Sequence, residues 1–146
     1  MLDFSKITEE LFVGEGFINE EDELELREAG ITHIIDARAK ATSTRLIYLH
    51  NPTDDDGLAK APEWFWTAIS FAARHRRSNF AGSARRLYIC CTAGINRSPS
   101  LAYAILRFWG MTAEQAETIL RRARPVIGLR YKADADFAMD QTKLKS

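Results

Sequence analysis

Hydrophobic residues occur along this chain in short β-branched runs that are separated by longer stretches of mixed polarity. A short apolar run bounded by turn residues is typical of a buried strand, whereas apolar residues spaced three or four positions apart indicate a helix. The first pattern predicts strands at 7–15, 31–37, 45–51 and 86–91. The second predicts helices at 19–30, 62–77, 99–109, 112–124 and 132–143, with a turn region at 76–84.

The predicted strands and helices alternate along the chain. This order predicts an α/β fold with a mainly parallel sheet and helices on both of its faces. In such folds ligands bind beyond the carboxyl ends of the strands. The two cysteines of the chain, Cys90 and Cys91, stand at the end of the last predicted strand. We therefore expect the chemistry of the protein at that edge of the sheet.

The composition is that of an ordinary globular protein and excludes several functional classes. The chain has 146 residues, of which 46% are hydrophobic and 27% charged, and its formal net charge is +0. This balance favours neither nucleic acid nor a membrane as a partner. Two adjacent cysteines and three scattered histidines form neither a disulfide framework nor a zinc pattern. We predict a single cytosolic domain spanning 1–146, without a metal or cofactor.

The segment CTAGINRS, residues 91–98, connects the last predicted strand to a helix. Ser98 is a good N-cap and Pro99 a good first helical residue, so a helix N-terminus is expected directly after the loop. Gly94 tolerates a positive φ, which lets the amides of residues 92–97 point into the loop as an anion nest. The helix dipole adds positive potential there. The segment therefore predicts an anion-binding site.

A thiol and a guanidinium stand at the two ends of this loop. Arg97 can direct its planar fork to two oxygens of a phosphate group. A helix N-terminus and a nearby cation stabilise a thiolate, so Cys91 is predicted to be an ionised nucleophile. Its attack on a phosphate ester would release an alcohol and form a cysteinyl phosphate that water then hydrolyses. The predicted substrate-binding residues are Thr92, Ala93, Gly94, Ile95, Asn96 and Arg97.

The loop resembles the C-x5-R-S/T loop of the cysteine-dependent protein tyrosine phosphatase superfamily, and the small size of the chain resembles its dual-specificity branch. The segments LFVGE and LREAGITHIIDAR are similar to the N-terminal strands and helix of that family, and RARPVIG is similar to its region after the loop. The resemblance implies a central sheet of four to five mostly parallel strands flanked by helices. It also implies that the Ser98 hydroxyl hydrogen-bonds the sulfur of a catalytic Cys91.

One position departs from the family pattern. Where the family usually has a histidine directly before the nucleophile, this chain has Cys90. We interpret Cys90 as a small buried residue, and a second hypothesis is that it serves as an oxidative partner of Cys91.

A phosphatase of this kind needs a carboxylic acid that protonates the leaving oxygen. The loop NPTDDDG supplies three aspartates after a predicted strand, namely Asp54, Asp55 and Asp56. In the family the acid commonly lies at a set distance after a strand-end proline and before an aromatic residue of the next helix. Counted from Pro52 and from Phe65, the resemblance favours Asp55 as the catalytic acid.

The variable residues of the loop include no lysine, which argues against a strongly anionic substrate. We therefore predict hydrolysis of phosphotyrosine in a phosphorylated protein, with phosphoserine and phosphothreonine as further substrates. The TAGINRS pattern also resembles RNA 5′-phosphatases of the same superfamily. Two more hypotheses are a phosphoinositide phosphatase and a binding module that captures phosphate esters without turnover.

Three charged residues have more than one interpretation each. Asp36 and Arg38 follow a predicted strand, so they either border the pocket or serve as a helix cap or a surface ion pair. Arg124 resembles a family arginine near a second phosphate site, but an arginine at a helix C-terminus also interacts favourably with the helix dipole.

Overall fold

A five-stranded sheet runs through the middle of the protein, whose computed structural model describes residues 1–77 and 85–145. The strands are β1 (Phe4–Lys6), β2 (Leu11–Glu15), β3 (His33–Asp36), β4 (Ile47–His50) and β5 (Leu87–Cys91). Their order is β1-β2-β5-β3-β4, and β1 alone runs antiparallel to its neighbour. The prediction of a mostly parallel sheet is confirmed. Most of the turn predicted at 76–84 lies outside the described residues.

Within the described residues, five helices cover the two faces of this sheet. They are α1 (Glu20–Glu28), α2 (Pro62–Arg77), α3 (Arg97–Phe108), α4 (Ala113–Ala123) and α5 (Lys132–Lys145). On one face, Leu26 of α1 packs in a buried cluster with Phe12, Ile34 and Tyr88 of the strands. The other four helices share a larger buried cluster on the opposite face, with α3 at its centre. No helix within the described residues is long and apolar enough to cross a membrane.

The N-terminal strand is shorter than the pattern predicts. Only Leu11–Glu15 of the predicted range 7–15 is strand, because the preceding residues close a turn in which the amides of Ile7 and Thr8 donate to the Leu11 carbonyl. That turn brings Phe4–Lys6 back along β2 as an edge strand. This edge strand carries a single apolar residue, so no hydrophobic pattern reveals it.

Helix α3 begins earlier than predicted, at Arg97 rather than Pro99. Asn96 occupies the N-cap position, and its side chain makes no capping hydrogen bond. The prediction that Ser98 caps this helix is therefore wrong. Ser98 lies inside the first turn, where its buried hydroxyl contacts the sulfur of Cys91 at 3.2 Å instead of a backbone amide.

A buried ion pair closes the carboxyl end of β3. Asp36 is 0% exposed and accepts hydrogen bonds from the Arg38 guanidinium at 2.8 Å and from the Tyr48 phenol at 2.8 Å. Arg38 also donates to the Phe17 carbonyl at 2.9 Å. Burial opposes ionisation of Asp36, but these hydrogen bonds and the Arg38 charge outweigh it and lower the pKa of the carboxyl. The two residues thus form an ion pair, but a buried one and not the predicted surface pair.

Replacing Asp36 by alanine should destabilise the fold strongly. The Asp36→Ala variant leaves the Arg38 guanidinium and the Tyr48 hydroxyl without their shared acceptor, which costs about 3 kcal/mol of unfolding free energy in urea at pH 7. Because the folded-state pKa of Asp36 is depressed, this difference persists above the ordinary carboxyl range and shrinks only as the pH falls below about 4. Lys6→Ala removes the exposed Lys6–Glu9 ion pair and serves as the control. Equal losses in the two variants would contradict the assignment.

Candidate active site

The loop predicted to bind an anion lies at the carboxyl edge of the sheet. Cys91 is the last residue of β5, the middle strand, and α3 begins at Arg97. In the loop between them, Gly94 is buried, whereas Thr92, Ala93 and Ile95 have exposed side chains. The loop therefore contacts the rest of the protein mainly through its backbone and presents these side chains to solvent.

The carbonyls of all five residues between Cys91 and Arg97 accept hydrogen bonds from groups outside the loop. The donors are the Gly16 amide to Thr92, the Arg124 guanidinium to Ala93 and Gly94, the Gly128 amide to Ile95, and Ser100 to Asn96. In a trans peptide the C=O of one residue and the N–H of the next point in opposite directions. With every carbonyl turned outward, the amides of residues 93–97 face the inside of the loop. Such a set of amides is an anion-binding nest.

Gly94 is required by both its conformation and its surroundings. Its φ is +70°, the left-handed region that was predicted for it. A Cβ at this position would come within 2.5 Å of the Gly14 backbone and 2.8 Å of the Arg124 guanidinium. The loop therefore has room for glycine only.

Arg124 lies beneath the loop and not at a second phosphate site. It is 3% exposed, and its guanidinium donates to the Gly94 carbonyl at 2.8 Å and to the Ala93 carbonyl at 3.0 Å. The remaining donors contact the Asp3 carboxylate at 2.9 and 3.0 Å. With these acceptors Arg124 supports the loop from behind, which corrects the interpretation as a second phosphate site. Arg124 does lie at a helix C-terminus, as the C-cap residue of α4.

The Cys91 thiol lies at the bottom of the loop. The residue is 3% exposed, and its sulfur contacts the Ser98 hydroxyl at 3.2 Å and the Ser98 amide at 3.4 Å. These contacts direct the sulfur toward the first turn of α3, where the free amides and the helix dipole favour negative charge.

Cys90 lies on the other face of the sheet. Successive side chains of a strand alternate between faces, and Cys90 packs in the cluster beneath α1 whereas Cys91 packs beneath α3. Burial, followed by the Asp36 carboxylate, raises the pKa of the Cys90 thiol well above its ordinary value. Cys90 is thus a protonated core residue, and a disulfide between it and Cys91 is not compatible with this arrangement.

The Arg97 guanidinium closes one side of the loop. It is 9% exposed and donates to the Thr53 carbonyl at 2.8 Å, to the Thr92 hydroxyl at 3.0 Å and, at 3.4 Å, to the Ala37 carbonyl. Its Nε is buried and has no hydrogen-bond partner among the described residues. A buried donor without a partner is costly, so this N–H is available to an anion held in the loop.

The three aspartates of the loop after β4 have different surroundings. Asp56 pairs with the Lys60 ammonium at 2.8 Å, and the same ammonium holds the Asp54 carbonyl at 2.6 Å. Of the three, only Asp55 contacts the loop of residues 92–96, called the anion-binding loop below. The contact is a hydrogen bond from the side-chain amide of Asn96 at 3.3 Å. The structure thus brings Asp55, rather than Asp54 or Asp56, into contact with the loop between Cys91 and Arg97.

The Asp55 carboxylate also receives the Tyr131 phenol at 2.7 Å and lies 3.4 Å from the Arg130 guanidinium. Burial opposes its ionisation, but the hydrogen bonds from Tyr131 and Asn96 and the charges of Arg97 and Arg130 outweigh burial. The pKa of Asp55 is consequently lower than its usual value.

No pattern in the sequence predicts that Tyr131, Arg130 and Thr53 are neighbours of the site. Tyr131 and Asp55 are separated by 76 positions, and no spacing pattern connects them. One usable signal was present, because Tyr131 immediately precedes a predicted helix, where a large aromatic side chain can reach neighbouring loops.

No family model matches this sequence, and no curated protein matches it. Among solved structures, human DUSP28 has a TM-score of 0.78 at 19% identity, with 97% of this chain and 99% of that chain covered. PTPMT1, solved in complex with PI(5)P, has a TM-score of 0.77 at 14% identity, with coverage of 98% and 99%. A human tyrosine phosphatase-like serine/threonine/tyrosine-interacting protein has a TM-score of 0.76 at 21% identity, with 97% of both chains covered.

The chain has the dual-specificity phosphatase fold. The fold that the resemblance implied is thereby confirmed, although identity to these structures is low. Within this phosphatase fold, the residues predicted from the sequence as a catalytic set, Cys91, Arg97 and Asp55, converge on one loop at the carboxyl edge of the sheet.

Replacing Gly94 by alanine should abolish anion binding. The added Cβ collides with the backbone that supports the loop, so the amides lose their inward orientation. We expect the Gly94→Ala variant to bind tungstate at least about tenfold more weakly by calorimetry, a loss of about 1.4 kcal/mol.

Gly110 provides the control, because its φ is also positive, at +107°, but nothing lies within 4 Å of an added Cβ. Gly110→Ala should cost about 1 kcal/mol of stability through strain and leave tungstate affinity unchanged. Unchanged affinity in Gly94→Ala would contradict the nest.

Proposed function

We propose that this protein is a phosphatase that hydrolyses phosphate monoesters through a cysteinyl-phosphate intermediate. The observation that carries the proposal is the loop in which five carbonyls are bound outward, so that five amides face the inside of the loop that begins at Cys91. A phosphoryl group in this loop would have its oxygens bound by those amides and by the Arg97 guanidinium. The sulfur would then lie in line with the leaving oxygen.

In the first step, the Cys91 thiolate attacks phosphorus and forms a sulfur–phosphorus bond. The bond from phosphorus to the leaving oxygen breaks, and Asp55 donates its proton to that oxygen, so that a neutral alcohol departs. The contact between Asp55 and Asn96 supports this role, since it holds the carboxyl group at the mouth of the loop.

In the second step, water attacks the phosphorus of the cysteinyl phosphate. The Asp55 carboxylate accepts a proton from that water, and the sulfur–phosphorus bond breaks to release inorganic phosphate and the thiolate. The Ser98 hydroxyl, 3.2 Å from the sulfur, would donate a hydrogen bond to the departing thiolate. Arg97 would neutralise charge on the phosphoryl oxygens in both steps.

We infer a phosphorylated protein as the substrate, with phosphotyrosine as the preferred residue and phosphoserine and phosphothreonine as further ones. The side chains at the rim of the loop, Thr92, Ala93 and Ile95, are exposed and uncharged. A rim of this kind suits an uncharged phenol or alkyl group better than a polyphosphorylated headgroup or RNA end. Assays with phosphopeptides, phosphoinositides and triphosphorylated RNA would separate the three classes. The cytosolic location stays a prediction.

Cys91→Ser should eliminate turnover and retain binding. Oxygen in place of sulfur is a far weaker nucleophile, so we expect kcat for para-nitrophenyl phosphate to fall roughly a thousandfold or more. Arg97→Lys should also lose activity, because an ammonium cannot reproduce the bidentate fork. The control is Cys90→Ala, which alters the neighbouring thiol on the opposite face of the sheet and should retain most of the activity. Wild-type protein that binds phosphate esters but shows no hydrolysis between pH 5 and pH 7 would identify a binding module instead.

Asp55→Asn should remove general acid catalysis. We expect kcat for phenyl phosphate to fall by about 10²- to 10⁴-fold and the basic limb of the rate profile to disappear. Turnover needs protonated Asp55, and the pKa of this group is lowered, so wild-type kcat/KM should fall as the pH rises from the acidic side through neutrality. The matched variant is Asp54→Asn, on the adjacent residue of the same loop, which should retain the basic limb. An Asp55→Asn enzyme with an unchanged profile would exclude Asp55 as the acid.

A further inference from the structure

Tyr131, directly before α5, binds the loop that carries the candidate acid at two points. Its hydroxyl lies 2.7 Å from Asp55 Oδ1 and 3.0 Å from the backbone nitrogen of Gly57. The side chain is almost completely buried, with 1% of the residue exposed. This hydroxyl therefore bridges two residues of one short loop from a fixed position in the core.

The two contacts determine where the phenol proton lies. The Gly57 amide can only donate, so the Tyr131 oxygen accepts from it and directs its own proton to the Asp55 carboxylate. Burial, together with the hydrogen bond to that carboxylate, raises the pKa of Tyr131 and keeps the phenol a donor at neutral pH. Oδ1 of Asp55 thus accepts the short hydrogen bond from Tyr131, whereas Oδ2 accepts only the longer one, 3.3 Å, from the side-chain amide of Asn96 in the anion-binding loop.

The ring and the backbone of Tyr131 are both held in place by neighbouring residues. Its edge-to-face contact with Trp64 of α2 has a centroid distance of 6.4 Å, and the Lys60 ammonium lies 4.9 Å from the ring centre. Its backbone amide donates to the Ser100 hydroxyl at 3.2 Å, and that hydroxyl donates to the Asn96 carbonyl at 2.6 Å. Tyr131 is therefore connected by hydrogen bonds both to the loop that carries Asp55 and, through Ser100, to the anion-binding loop.

We propose that Tyr131 is the positioning residue of the general acid: its hydroxyl holds Asp55 over the anion-binding loop and reserves Oδ2 for the proton that is given to the leaving oxygen. The inference rests on the proposed function, because it assigns a role within the same reaction. Tyr131 acts through Asp55 and does not touch the phosphoryl group.

Besides Tyr131, three groups act on the ionisation of Asp55, namely Asn96, Arg97 and Arg130. Its own loop also carries the charged side chains of Asp54, Asp56 and Lys60, of which Asp56 and Lys60 pair with each other. Removing the Tyr131 hydroxyl leaves all of them in place. A change in the pH profile of such a variant would therefore report the hydroxyl alone.

The test is the Tyr131→Phe variant assayed with two substrates that differ in leaving group. Phenyl phosphate needs protonation of its leaving oxygen, whereas 2,4-dinitrophenyl phosphate releases a stable anion and does not. On the acidic plateau we expect kcat/KM for phenyl phosphate, which covers only the steps up to formation of the cysteinyl phosphate, to fall about tenfold or more, as for the loss of a hydrogen bond to a charged group. The kcat/KM for 2,4-dinitrophenyl phosphate should change little.

The pH profile gives an independent readout. Loss of the Tyr131 hydrogen bond destabilises the carboxylate form of Asp55, so the basic limb of kcat/KM should move to higher pH. The Tyr103→Phe variant is the control, because this buried α3 phenol also donates to a carboxylate, that of Asp136, away from the acid loop. Its leaving-group dependence and basic limb should match those of the wild type.

Equal rate losses with both substrates and an unmoved basic limb would overturn the inference and reduce Tyr131 to a structural residue. In the Asp55→Asn background, Tyr131→Phe should have no further effect, and an additive loss would likewise overturn it. If Asp55→Asn itself leaves the profile unchanged, the proposed acid fails and not the role of Tyr131 alone.

Should Tyr131→Phe not fold, 3-fluorotyrosine at position 131 retains the hydroxyl. Because its phenol is a stronger hydrogen-bond donor, the basic limb of kcat/KM should move to lower pH. An unmoved limb would overturn the inference.

Discussion

Five peptide groups between Cys91 and Arg97 are held with their carbonyls outward, and each carbonyl has its own donor in the surrounding fold. An inward carbonyl would direct negative potential at a bound phosphate, so the anion binding proposed for this loop depends on all five bonds together. The buried Arg124 guanidinium donates two of these hydrogen bonds, and the Asp3 carboxylate compensates its positive charge. Orientation of the peptide dipoles, more than any charged side chain in the loop, gives this site its polarity.

The parallel sheet explains how distant segments meet at this loop. Strands β3, β4 and β5 end at the same edge, so Ala37 and Thr53, just after β3 and β4, are able to hold the Arg97 guanidinium. Strand alternation also separates the two thiols. One lies under α3 among the amides, and the other is buried beside Asp36 on the opposite face, where it cannot compete as a nucleophile.

The candidate acid combines two opposing requirements. The hydrogen bonds from Tyr131 and Asn96 give Asp55 a defined place, but they also stabilise its carboxylate and lower its pKa, which disfavours the protonated form that an acid needs. A phosphate dianion bound in the loop would oppose ionisation of Asp55 through its own negative charge. Under the proposed function, substrate binding would therefore help to protonate the group that acts on the leaving oxygen.

The sequence alone determined the α/β class and the five helices, because these follow from local hydrophobic periodicity. It also determined the loop with Cys91, Gly94 and Arg97, because these residues stand at a fixed spacing within one contiguous segment. It could not reveal β1, whose strand character comes from pairing with β2, nor the early start of α3, where contact with the Cys91 sulfur replaces the capping role predicted for Ser98. The choice of Asp55 among three consecutive aspartates came from a resemblance, and only the tertiary structure supplied its contact with Asn96. Arg124 and Tyr131 likewise acquired their contacts only on folding, since hydrogen bonds between residues 30 to 76 positions apart leave no periodic trace in the chain.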